Sequence, residues 1–504
     1  MLKTTVAIFI VLATLVFAFQ SNWLVFTNDE GIILEPAQRV AGGLRPYVDF
    51  FAYMSPPGSY WLQAAVFRLF GVYLRTGRLL VILDFAAQCA LLFWMTARFS
   101  SRLTGFLVTF LYFVFQATVP GLLTPQHRWD SATLATISIA LVCSLWDSPP
   151  ARFCACLAFL AGLAAAGATL CTPSIALIAL ITAGFLLRAR WIIFYAAGIA
   201  LVAGAATVYM FHIGMFTAFL GQIHWLRSNY TAVNVMPYGS IIGGYSAILI
   251  GTNPVDTAIR LGLVVCLALP ALLPPLNLVG WAVRLFRNTV EDTRAILYLL
   301  ACSAAFVIGT LPRPDLMHLS FAAVPACALA AIYISRYAPP RAAAWLSIWF
   351  LLWACLFAFN AASGFGRLQP ATSPVGELRV APDQAADVRR MLATIKPGDG
   401  LYVHPYMPLL YFLTQAHNPT RFAFLGPGMM TKVEESDALA DLSRTPPQWV
   451  FFLPLTREEF LRVFPGGVGL NQRFERIEDW IRTNYRPASP AVTLSGYQLW
   501  SRVR

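Results

Sequence analysis

Two acids stand side by side at Asp29 and Glu30, just past an apolar run that begins at Thr4. A carboxylate within reach of a hydroxyl can take its proton as the oxygen attacks. A second carboxylate beside it can raise the pKa of the first or help hold a cation. The pair also has a plainer use, because the helix-like run GIILEPAQRVA follows it and Asp29 can cap that helix. The two roles are compatible. More polar landmarks follow in the same stretch: Arg45, Pro46-Tyr47-Val48-Asp49, Tyr53 and Ser55-Pro56-Pro57-Gly58. Asp49 is either a turn-former or a ligand contact. Pro56-Pro57-Gly58 breaks the chain and starts a helix. Tyr53, Tyr60 and Trp61 suit an aromatic belt at a membrane surface, or a stacking face for a sugar.

Two further clusters carry chemistry-bearing side chains. The first is Gln126-His127-Arg128-Trp129-Asp130, and the second runs from Arg313 through Asp315 to His318. Each reads as an interface anchor with an acid capping the next helix, or as a contact for a phosphate or an acceptor. Arginine holds phosphate through a planar fork of donors. His224, Arg227 and Tyr230 can line the same cleft, whereas His404 and His417 read as surface residues of the tail. Asp84 lies inside an apolar run and is expected to be paired there for structural reasons. All nine cysteines fall in or at the edges of apolar runs, with no CxxC and no Cys/His spacing, so neither a disulfide framework nor a metal cluster is expected.

The elements that must position these residues are mostly membrane helices. The chain has 504 residues, 58% hydrophobic and 12% charged, where soluble domains carry about 25% charge. Runs near 4–26, 79–98, 103–120, 131–146, 153–170, 173–188, 191–211, 258–280, 294–311, 317–336 and 342–362 predict eleven spans. The first is read as a retained helix without a cleavage site. Arginines in the short loops place the N-terminus in the cytoplasm. On that orientation all six histidines lie on the outer side, along with Asp29, Glu30, Glu35, Asp49, Asp130, Asp256 and Asp315. Segment 59–75 is expected to be an interfacial helix rather than a span, because it contains Arg68.

From residue 365 onward the composition changes. The last 140 residues hold 16 basic and 13 acidic residues, against 20 and 11 in all that precedes. Helix-like and strand-like pieces alternate, which predicts a small α/β domain at 365–504 outside the cytoplasm, behind a membrane domain at 1–364. The net charge of +12 comes largely from arginines at the ends of apolar runs, so it points to lipid head groups and not to nucleic acid.

The loop 27–78 carries Asp-Glu, then G-x-x-P-Y-x-D-F, then P-P-G-x-Y-x-L and x-F-x-L-F-G. This pattern resembles the first outer loop of GT-C superfamily glycosyltransferases. Its nearest likeness is the bacterial group related to protein O-mannosyltransferases and lipid A aminoarabinose transferases. LPRPDLMHL at 311–319 resembles an outer-edge element of bacterial members, and the tail resembles their extracytoplasmic domain. The resemblance implies a polytopic helical fold, a sugar donor linked to polyprenyl phosphate, and a lipid, glycan or protein acceptor at the outer face of the bacterial inner membrane. It carries the catalytic carboxylate onto Asp29, with Glu30 beside it. Substrate contacts are then expected from Arg45, Asp49, Tyr53, His127, Arg128, Arg313, Asp315 and His318. One departure matters: the lipid A branch has a lysine just before its Pro-Pro pair, where this chain has Met54-Ser55. The carrier phosphate must then meet Arg45, Arg128, Arg313 or His318. Some relatives use a divalent cation, but no clear ligand set is visible for one. A transporter or flippase would place charges near the bilayer midplane, which is nearly bare here. A non-catalytic scaffold would leave the paired acids and the outer polar clusters unexplained.

Overall fold

The computed structural model describes residues 1–53, 56–119, 121–146, 150–240, 253–287, 294–426, 430–454, 456–463 and 474–503. Met54 and Ser55 lie outside the described residues.

Helix α1 (Leu2–Gln20) is apolar on all sides. It ends six residues before the expected limit of the first span, and an extended linker leads to Thr27, which holds the N-cap position of α2 (Asn28–Ala41). Asp29 and Glu30 therefore occupy the first turn of α2, where the helix dipole favours negative charge. Helix α3 (Gly58–Phe70) starts after Pro57 and stops at Gly71, whose φ of 83° is a left-handed conformation suited to glycine. At 13 residues α3 is about 20 Å long, too short for a hydrocarbon core of about 30 Å. Arg68 on α3 donates to the carbonyls of Val40 and Ala41, which ties α3 to the C-terminal end of α2.

A short turn, α4 (Leu74–Gly77), leads into the membrane body. The body contains α5 (Leu79–Phe99), α6 (Arg102–Ala117), α7 (His127–Leu145), α8 (Ala151–Cys171), α9 (Ala176–Leu186) and α10 (Ile192–His212). Next come α11 (Phe216–Trp225), a π turn at Leu226–Tyr230 and the short α12 (Thr231–Val233). The body closes with α13 (Pro254–Phe286), α14 (Arg294–Gly309), α15 (Leu316–Phe321), α16 (Val324–Tyr337) and α17 (Pro340–Gly366). The run expected as one span at 317–336 is thus two helices, with Asp315 capping the first by accepting from the His318 amide. Among the described residues six helices are long and apolar enough to cross a membrane, and four shorter apolar helices accompany them. Their outward faces expose Leu, Ile, Phe and Trp, while Phe85, Trp129, Ile139, Leu299 and Leu329 fill the centre. The chain is an integral membrane protein.

The tail opens with an antiparallel hairpin that the sequence reading did not predict, β1 (Gln369–Ser373) and β2 (Gly376–Val380). A five-stranded sheet follows in the order β3 (Leu401–His404), β4 (Trp449–Phe452), β7 (Tyr497–Arg502) and β5 (Tyr485–Pro487), with β6 (Thr493–Leu494) also on β7. Only β3 and β4 run parallel. The chain closes with the β6–β7 hairpin. Helices α18 (Pro382–Thr394), α19 (Leu409–Thr414), α20 (Lys432–Arg444), α21 (Arg457–Val463) and α22 (Glu475–Asn484) stand at the places the sequence pattern indicates. The tail shares its core with the first loop. Leu24, Leu34, Ala37, Phe67 and Leu74 are buried in one cluster with Leu378, Val388, Leu409, Phe412 and Leu499.

Candidate active site

The first turn of α2 sends its two acids in different directions. Asp29 is half-buried, and its Oδ2 accepts a hydrogen bond from Gln126 Nε2 at 2.9 Å. Gln126 holds the N-cap position of α7, so the loop and the membrane body meet at this bond. Thr27 occupies the N-cap position of α2, and Asp29 is spent on Gln126 rather than on capping. Glu30 is fully buried, and both of its oxygens accept from Arg78, at 2.7 Å from Nε and 2.8 Å from Nη2. Arg78 Nη1 also donates to the carbonyls of Gln20 and Trp23. Glu30, expected beside Asp29 as a second catalytic acid, thus sits in a buried ion pair that fixes α1, α2 and α5 together.

Arg45 and Asp49, expected as separate substrate contacts, bind each other. Arg45 donates to Asp49 from its backbone N, Nε and Nη2 at 2.7–3.0 Å, at the outer rim. Tyr53 is buried against Tyr230 and Phe424, with ring centroids 5.8 and 4.9 Å away.

The remaining candidates converge. Arg128 Nη1 donates to the Gly309 carbonyl at 3.1 Å, while its Nε is buried without a partner. His127 Nδ1 pairs with Thr172 Oγ1 at 2.8 Å. Arg313 donates from Nε to Asp315 Oδ2 at 3.0 Å and from Nη1 to Asn234 Oδ1 at 2.8 Å. Asp315 Oδ1 accepts from both the amide and the Nδ1 of His318, at 3.0 and 2.8 Å.

The charges of His318, Arg313, Asp315 and Arg128 all reach Asp29. Burial dominates and pushes the Asp29 carboxyl above its usual value of 3.8, although the three basic groups pull it down. Asp315 goes the other way. Burial would raise it, but His318 and Arg313 outweigh burial and hold it below the usual range. The site is therefore an acid set beside two arginines and His318, with Asp315 orienting Arg313 and His318; burial and the Arg128 charge hold the His318 imidazole below its usual value, which favours its neutral form.

Residues that sequence reasoning passed over complete the arrangement. Arg78 stood unexplained at the head of an apolar run, and a lone arginine there called for an acid. Nothing in the sequence pairs Gln126 with Asp29, 97 residues away. Asn234 gave no sequence signal, because only the fold brings it to Arg313. His224, on α11, and Arg227, in the π turn, are exposed. His404 is a correction. It is buried on β3 between Phe452 and Phe474 rather than at the surface, and burial lowers it to about 3. Asp84 lies against Asp130, inside the body. Among the described residues no group of three or more His, Cys, Asp or Glu side chains converges as a metal site.

An apolar cavity of about 490 Å³ reaches Asp315 of this cluster. Thr27, Gly121 and Asp315 stand at one end, Leu111, Phe115 and Pro270 along it, and Ser335 and Ala343 at the other. It runs between α6, α13, α16 and α17. The α6 residues that line it, Thr104 to Gln116, cover about 18 Å of helix.

No family model and no curated protein matches the chain. Solved structures do resemble it. ArnT from Cupriavidus metallidurans bound to undecaprenyl phosphate superposes with a TM-score of 0.58 at 13% identity, over 99% of this chain and 98% of that one. The apo state of the same protein gives 0.43 at 13% identity over the same shares. The archaeal oligosaccharyltransferase AglB from Archaeoglobus fulgidus, in complex with an inhibitory peptide and a dolichol-phosphate, gives 0.47 at 11% identity, over 88% and 69%. Over nearly its whole length this chain has the fold of that undecaprenyl-phosphate-bound ArnT structure.

Proposed function

We propose that the protein transfers a sugar from a polyprenyl-phosphate carrier to an acceptor at the outer face of the inner membrane, with Asp29 as general base. The observation that carries this reading is the apolar cavity along the membrane helices, which reaches Asp315, the acid that holds Arg313 and His318 in the charged cluster around Asp29. A long lipid tail suits the apolar length of that space, and its phosphate head would meet Arg313 and His318 beyond Asp315. The ArnT structure was determined with undecaprenyl phosphate bound, which fits the same reading.

The step is a single displacement with inversion at the sugar. An acceptor hydroxyl oxygen forms the new bond to the anomeric carbon while its proton passes to Asp29. The bond from that carbon to the phosphate oxygen breaks, and its electron pair leaves with the polyprenyl phosphate. Arg128, whose Nε has no protein partner, would meet the developing phosphate charge, together with Arg313 and His318. Preorganised donors of this kind lower the barrier because they need no rearrangement during reaction. On this reading the N-terminus is cytoplasmic, and the tail stands outside the cytoplasm with the cluster.

Binding of undecaprenyl phosphate to the purified protein tests the lipid half of the proposal, read by native mass spectrometry in detergent. The wild type is expected to retain the lipid. Arg128→Met should weaken it at least tenfold, since a hydrogen bond to a charged group contributes about 1.5–3 kcal/mol. A wild type that does not retain the lipid, or an Arg128→Met variant that binds equally well, would overturn the assignment.

A further inference from the structure

The tail grips the chain on both sides of the acid turn. Before it, Arg379 of β2 exchanges backbone hydrogen bonds with Asn22 and Leu24, at 2.7 and 2.8 Å. Just after it, Gly31 touches the tail backbone itself. A Cβ at position 31 would lie 2.1 Å from Leu409 N and 2.8 Å from Leu409 Cα, at the start of α19. Only a glycine allows α2 and α19 to come this close. Two turns further on, Gln38 and Gln415 exchange side-chain hydrogen bonds at 2.7 and 3.0 Å. Leu34 and Ala37 between these points are fully buried with Leu409, Leu410 and Leu413. On the opposite side, Asp29 meets Gln126 of the membrane body.

From this we infer that the C-terminal unit is a clamp: Arg379, Leu409 and Gln415 hold α2 in the one placement that presents Asp29 to the cation cluster, and transfer depends on that hold. Gly31, Gln38 and Gln415 are positioning residues, and none is assigned a contact with substrate. The inference rests on the proposed role of Asp29 as base. Its physical reason is that reacting groups must be aligned closely, and a shift of about 1 Å can cost about a hundredfold in rate.

The test uses the full-length protein and lipid extracted from cells that lack it, with consumption of the carrier-linked sugar followed by mass spectrometry. Rates are expressed per molecule that retains undecaprenyl phosphate, so that loss of folded protein does not count. Gln38→Lys with Gln415→Lys places like charges across the clamp, and Gln38→Glu with Gln415→Lys places opposite charges there. The like-charge pair is expected to slow consumption about tenfold or more while keeping carrier binding, and the opposite-charge pair to restore it. Gly31→Ala should slow it further, again with binding kept. A like-charge pair that works at the wild-type rate, or one whose rate deficit the opposite-charge pair fails to repair, overturns the clamp. The base assignment fails separately, if Asp29→Asn consumes the donor as fast as the wild type.

Discussion

A carboxylate acts as a base only when ionised, so the surroundings of Asp29 set the pH range of the chemistry assigned to it. Burial raises its pKa above 3.8, and the nearby cations limit the rise. Transfer per bound carrier should therefore fall as the pH is lowered, with a midpoint above the ordinary aspartate value. A pH profile of donor consumption checks this, and an acid limb at or below 3.8 would contradict it. The sequence puts Asp29 and Glu30 side by side with nothing local to show that their surroundings differ. Their separation depends on Arg78, 48 residues downstream of Glu30, and no local pattern pairs residues at that distance. Likewise Arg45 and Asp49 lie four apart outside any helix, and the turn between α2 and α3 brings them together. The two had been read singly.

At the level of elements, the buried pair between Glu30 and Arg78 is a joint between α2 and the head of α5. Glu30→Gln would leave Arg78 buried without its counter-charge, which costs about 3–5 kcal/mol. Thermal unfolding in detergent should show that loss, and Glu30→Gln with Arg78→Met should recover much of it. A Glu30→Gln protein as stable as the wild type but inactive would instead make Glu30 part of the chemistry. The cavity walls give a second prediction. Ala330 of α16 lines the apolar space, so Ala330→Phe should weaken binding of a long polyprenyl phosphate about tenfold, as a filled cavity removes apolar contact worth about 1.5 kcal/mol or more. A short-chain analogue should bind as before, and equal losses for both lipids would place the tail elsewhere. Helix positions were readable because apolar runs and Pro or Gly stops are local signals. The break at 322–323 and the β1–β2 hairpin were not, because an apolar run continues through the first and no β-branched alternation marks the second.

For the molecule as a whole, the sequence divided membrane from tail by charge density, near residue 365. The structure has α17 end at Gly366 and β1 begin at Gln369. Yet Leu24, Leu34 and Phe67 of the first loop are buried in the tail's own core, so the two parts pack as one body around the acid turn. Composition cannot reveal such a shared core, because each part alone looks complete. The candidate site lies at that seam, where loop, membrane helices and tail meet. The central claim, that Asp29 is the base for transfer from a lipid carrier, is tested most directly by lipid mass spectrometry of the source cells. Wild type, a deletion and Asp29→Asn at matched protein level are compared. The account predicts that a polyprenyl-phosphate sugar accumulates to the same extent in the deletion and in Asp29→Asn, with its mass naming the sugar. If Asp29→Asn cells match the wild type while the deletion accumulates the lipid, Asp29 is not the base, and the mechanism assigned to this site is wrong.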